Sequence, residues 1–136
     1  MPDPDRLYHF TSTYHLPRIM QAGYLKLVES NASPFEAHAA PDVVWLTDLP
    51  NPLAHRGWAT GSAVDKTAVR IAIPRALVAD AQPWLDWLAS IDQTPPDFWI
   101  AAMAKSGGGT DNVDHWLVHT QPIPTAHFES VDLLVG

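Results

Sequence analysis

The chain predicts one small α+β domain, and three observations carry that prediction. Its 136 residues are about one domain's length. The hydrophobic fraction is 46%, a globular composition with enough apolar matter for a core that needs no staples. The apolar patterning runs strand, helix, several strands, a helical insertion, then two strands, without regular alternation of helix and strand. That order predicts split mixed or antiparallel β-sheets with a few short helices, within a single domain over residues 6–136.

Residues 1–5, acidic and proline-rich, read as a short disordered lead. Leu7-Tyr8-His9-Phe10 reads as an aromatic-rich strand. Thr11, Ser12 and Thr13 offer N-cap hydroxyls. Leu16, Ile19 and Met20 then recur at helical spacing, with Pro17 tolerated in the first turn, so 14–22 reads as a helix. Gly23 suits its left-handed end. Tyr24 to Val28 reads as a second strand, and 29–41 as a loop by composition. Val43-Val44-Trp45-Leu46-Thr47 is the clearest strand, stopped by Asp48-Leu49-Pro50-Asn51-Pro52.

Residues 53–65, with His55, Arg56, Trp58 and Gly61, read as a long mobile loop, of a length that is usually functional or disordered. Residues 67–73 alternate, with Ala68, Arg70 and Ala72 on one face and Val69, Ile71 and Ile73 on the other. Residues 75–91 read as two helices broken near Pro83, and 96–104 as another short helix. Gly107-Gly108-Gly109 reads as a flexible tip. Val113 to His119 and Ala126 to Val135 read as the last strands.

Composition narrows the chemistry. There is no cysteine, so disulfides, a thiolate nucleophile and thiolate metal sites are excluded. Eight basic residues face fifteen acidic ones, for a net charge of −7. That balance, with no Lys or Arg cluster, argues against tight non-specific nucleic-acid binding and suits a basic protein partner or a pocketed small ligand. No run is long and apolar enough to span a bilayer, and the acidic start is unlike a signal peptide, so the expected location is the cytoplasm. No dinucleotide-fold glycine pattern, P-loop or serine-hydrolase elbow is present.

Several side chains have the right chemistry for a site. His9, bracketed by aromatics and followed by Thr11 and Ser12, can donate to a sugar hydroxyl. Arg70 can grip a diphosphate or carboxylate bidentately. His115 and His119 are four apart. On a strand that leaves them ~13 Å apart, too far for one metal ion, and no metal site is expected. Of six tryptophans, Trp84, Trp87 and Trp99 suit a core, whereas Trp58 lies in the polar loop.

Three separated blocks also resemble the ADP-ribosyltransferase-like superfamily, in particular DarT-like toxins and related small bacterial ADP-ribosyltransferases. The first is Leu7-Tyr8-His9-Phe10-Thr11-Ser12, then Leu16-Pro17-x-Ile19, then Gly23-Tyr24-Leu25. The second is Val43-Val44-Trp45-Leu46-Thr47-Asp48, and the third Trp116-Leu117-Val118 followed by Pro122-Ile123-Pro124. The resemblance implies NAD, as substrate, in a cleft between two small sheets. It assigns Tyr8, His9 and Thr11 to ribose, ring and amide contacts, and Trp45 and Thr47 to the nicotinamide side. Arg70, with Arg56, is the best available cation for the diphosphate. The family's catalytic glutamate precedes the third block, and here Asp114-His115 occupies that place, making these two the catalytic candidates; Glu129 lies beyond it. The implied activity is transfer of ADP-ribose to a macromolecular acceptor or cleavage of the nicotinamide bond. The alternative is an inactive member of the fold acting as an acidic interaction or inhibitor protein of phage or immunity type.

Overall fold

The computed structural model describes residues 3–31, 39–51, 68–91, 97 and 115–134, without the side chains of 28–31 and 39–42. The 53–65 loop with Trp58 and Arg56, Trp99, the glycine tip, Asp114 and, apart from Asp97, the 96–104 helix lie outside them.

The predicted α+β class holds: among the described residues there are two short helices and antiparallel strands in two sheets. The strands are β1 (Arg6–Thr11), β2 (Tyr24–Leu25), β3 (Val28–Asn31), β4 (Ala39–Thr47), β5 (Val69–Pro74), β6 (Gln82–Pro83), β7 (Trp116–His119), β8 (Ile123–Pro124) and β9 (Ser130–Leu133). The helices are α1 (Leu16–Ala22) and α2 (Trp84–Ser90). The main sheet runs β6-β7-β4-β1-β5-β9, with β3 also paired to β4. A two-stranded ribbon, β2-β8, forms the second sheet.

Local signals fix several elements. Pro17 sits at the start of α1, and Gly23 closes that helix with φ +86° while its amide donates to the Ile19 carbonyl. Glycine is favoured there because a Cβ disfavours the left-handed region. The Ser12 carbonyl accepts the Leu16 amide at 3.0 Å, and Ser12 Oγ accepts the His15 amide at 3.0 Å. Ser12 therefore organises the turn into α1 from just outside the helix.

Three expectations are corrected. Much of 29–41, expected as loop, is strand: β3 and the first half of β4 pair antiparallel, with Val28 opposite Val43 and Asn31 opposite Ala39. Of the helical pair over 75–91, only Trp84–Ser90 is α-helix; Arg75–Val78 is a 3-10 turn and Gln82–Pro83 a short strand. Pro74 and Pro83 set those boundaries, since proline enters a helix only at its first turn. The last strand shortens to Ser130–Leu133, after a 3-10 turn at Thr125–His127. Of the predicted lead, residues 1–2 lie outside the described residues; in the rest, the Asp3 amide donates to the Asp48 carbonyl at 2.7 Å, and Asp3 Oδ1 accepts the Asp5 and Arg6 amides.

Register divides the main sheet into two faces. Tyr8 stands opposite Thr47 on β4 and Ala72 on β5, while His9 stands opposite Ile71. Since opposed residues share a face, Leu7, His9, Thr11, Val44, Leu46, Val69, Ile71, Ile73 and Leu117 form one side. Its apolar members pack with Leu25 and Ile123 of the ribbon and with Leu16 and Ile19 of α1. Tyr8, Phe10, Val43, Trp45, Thr47, Arg70, Ala72, Trp116 and Val118 form the other side. There Val43, Trp45, Trp116 and Val118 pack against Trp84, Trp87 and Leu88 of α2.

Candidate functional site

The centre of the ribbon-side face is a seam in the sheet. On the β1 side of β4, Thr47 pairs with β1 and Val43 pairs with β3. Trp45 lies between these pairings, where neither strand continues the ladder. His9 reaches into this seam, with Nδ1 2.9 Å from the Trp45 carbonyl oxygen.

That contact determines the tautomer. A carbonyl only accepts, so Nδ1 carries the proton. His9 is half-buried. Desolvation holds its pKa below the ordinary 6.5, against the opposing pull of the carbonyl bond. The ring is therefore neutral near pH 7, and Nε2 is a hydrogen-bond acceptor. The sequence suggests a donor at His9; in this tautomer the neutral ring instead presents an acceptor at Nε2. Thr11, buried, shares its face two residues along the strand.

The other ligand-contact candidates are drawn away. Tyr8, Trp45, Thr47 and Arg70 lie on the opposite face from His9 and Thr11. Trp45 packs against Trp84, ring centroids 5.8 Å apart. Thr47 is fully buried, and its Oγ1 accepts the Leu49 amide at 3.1 Å. The Tyr8 hydroxyl donates to Asp3 Oδ2 at 2.7 Å, and burial followed by that bond pushes its pKa up to about 12. Arg70 donates to the Pro50 carbonyl at 2.9 Å and to Asp132 at 3.3 Å, with its guanidinium 5.6 Å from the Tyr8 ring centroid. Its two terminal nitrogens are thus engaged inside the fold, while its buried Nε has no partner among the described residues.

A polar network closes the end of the sheet where β1 begins and β4 ends. His115 Nδ1 donates to Asp48 Oδ1 at 2.8 Å. Asp48 Oδ2 lies 3.8 Å from Arg75 Nη2, which donates to the Asp3 carbonyl at 3.1 Å. The bond from Tyr8, then those from the Asp5 and Arg6 amides, hold the Asp3 carboxyl below the usual carboxylate range. Glu129 is engaged by Arg6, which donates to it through Nε and through Nη2. Among these residues sequence reasoning named His115 and Glu129 as site candidates and missed Asp3, Asp48 and Arg75. Asp48 was legible only as a strand stop, because its partners come from positions 3, 75 and 115.

Among the described residues no group of three His, Asp or Glu side chains converges as a metal site, and no helix is long and apolar enough to cross a membrane. Comparison with protein-family models, curated proteins and solved structures finds no match to this chain.

Proposed function

We propose that this chain is an ADP-ribosyltransferase-like domain that takes NAD as substrate and transfers its ADP-ribose or cleaves its nicotinamide bond. One observation carries the reading: His9 has Nδ1 committed to the Trp45 carbonyl and Nε2 left as an acceptor, on the face turned toward the β2-β8 ribbon. A neutral imidazole fixed in that way suits a ribose hydroxyl, which needs an acceptor. The three sequence blocks that resemble the superfamily give the reading its substrate. In this arrangement His9 and Thr11 face the ligand, while Tyr8, Trp45, Thr47 and Arg70 brace the sheet from behind.

One observation favours the second reading, an inactive member of the fold that works as an acidic interaction or inhibitor protein. Arg6, Arg70 and Arg75 all engage carboxylates or carbonyls within the domain through their terminal nitrogens or, for Arg6, Nε, which weakens their claim on a diphosphate. Backbone amides would have to serve in their place.

Isothermal titration calorimetry with NAD separates the two. The enzyme reading predicts binding by the wild type and a roughly 2- to 10-fold weaker affinity in His9→Ala, the worth of one hydrogen bond. Absence of NAD binding by the folded wild type removes the enzyme reading and leaves the interaction protein.

A further inference from the structure

We infer that His115 and Asp48 act as one unit, in which His115 Nε2 takes the proton of the nucleophile that attacks the ribose C1 of NAD. Asp48 is the positioning residue that holds the ring for this task. The inference rests on the NAD reading above and adds to it a base and its partner.

The pair is built by the sheet. Thr47 stands opposite Trp116, so Asp48 and His115 meet one step beyond that pairing. The contact is 2.8 Å from His115 Nδ1 to Asp48 Oδ1. A carboxylate only accepts, so Nδ1 bears the proton, and in the neutral form of the ring Nε2 bears the lone pair. Asp48 is itself held at two points, by Arg75 Nη2 at its other carboxylate oxygen and by the Asp3 amide at its carbonyl. The His115 side chain keeps 30% of its surface exposed, against 18% for Asp48. The pair thus has a held acid inside and a more accessible base outside, as a relay requires.

Its placement fits one ligand shared with His9. Leu46 and Leu117 both belong to the ribbon-side core, and Asp48 and His115 lie two residues further on, one step beyond the last strand pair and outside both strands. Two strand spacings across and two residues along put His115 ~12 Å from His9. One atom could not touch both residues at that distance, but a dinucleotide could. Asp48 also supplies the fixed negative charge that an imidazole lacks, so the imidazolium formed in the reaction is stabilised where it forms.

The step balances as follows. The nucleophile, water or an acceptor hydroxyl, loses its proton to His115 Nε2, and its oxygen bonds to C1. The C1–N bond to the nicotinamide breaks, and its electron pair returns to the ring nitrogen, so neutral nicotinamide departs. The imidazolium then releases the proton to solvent.

The test uses the full chain, with NAD and water as acceptor, and follows nicotinamide release. His115→Gln is expected to lower kcat about 100-fold with KM little changed. Asp48→Asn is expected to lower kcat as well, and Asp48→Glu to restore part of the loss. Long-range nitrogen-proton NMR supplies a readout that a merely structural role would not move. Wild-type His115 should show the Nδ1–H tautomer, and Asp48→Asn should lose it. Nicotinamide release by His115→Gln within twofold of wild type overturns the inference. So does an Nε2–H tautomer in the wild type, which needs no variant to fold, or NAD binding without cleavage. A wild type that does not bind NAD overturns the underlying reading instead.

Discussion

Trp84→Ala is expected to destabilise the domain by roughly 3–5 kcal/mol, the usual cost of emptying a large aromatic site. Trp84 is fully buried at the start of α2, with its ring 5.8 Å from Trp45 and 5.9 Å from Trp116. It is the side chain through which the helix grips the sheet, and Trp87 and Leu88 belong to the same cluster. Truncation leaves a cavity between two elements that are each tied down by other contacts, so the site cannot collapse fully. Since domains of this kind are stable by about 5–15 kcal/mol, the variant should melt more than ~10 °C lower. Trp84→Phe should cost less, because it keeps most of the ring and removes an indole N–H that has no partner among the described residues. A melting point for Trp84→Ala within ~3 °C of wild type would contradict this packing.

His9 carries the second large effect, a loss of stability on mild acidification. Burial is the main cause holding its pKa below 6.5, and the Trp45 carbonyl opposes it. The unfolded chain binds a proton near pH 6.5 that the folded chain resists. Stability from this group is therefore complete above that value. It declines as pH falls from about 7 toward the folded pKa, and it levels off below it. The slope can reach at most about 1.4 kcal/mol per pH unit for one proton. Asp3, whose folded pKa lies below its ordinary 3.8, adds a separate loss at lower pH, as the medium falls through its own window. The difference in melting temperature between wild type and His9→Gln, followed from pH 8 to pH 5, isolates the His9 contribution. It should shrink with acidification, and a pH-independent difference would rule out a desolvated neutral His9. The same proton would occupy Nε2, so the affinity for a hydroxyl-bearing ligand should fall over the same range.

The sequence made the local elements readable and left the long-range ones hidden. Strand alternation at Leu7 to Phe10, helical spacing at Leu16 and Ile19, and glycine at position 23 each act within a few residues, and those elements formed as read. The stretch around Ser30, Asn31 and Pro41 looked like loop because its composition disfavours strands, yet β3 and β4 gain a ladder by pairing with each other. Pro83 was visible as a break, but not that a strand edge would end there and a helix begin.

The site depended on register in the same way. His9 and Tyr8 are adjacent in the chain, and one residue is enough to send them to opposite faces. Only the pairing of Tyr8 with Thr47 assigns Trp45 and Thr47 to the Tyr8 side. The same long-range pairing brings Asp48 beside His115, a contact 67 positions apart in sequence.

The most direct measurement is a titration of the isotopically labelled chain with NAD, mapped by backbone and side-chain NMR shifts. The account predicts the largest changes at His9 and Thr11, on the ribbon side, and at His115, at the end of the sheet, with Phe10, Arg70 and Ala72 on the other face nearly unmoved. Changes centred on Tyr8, Trp45 and Arg70, or none at saturating NAD, would contradict it.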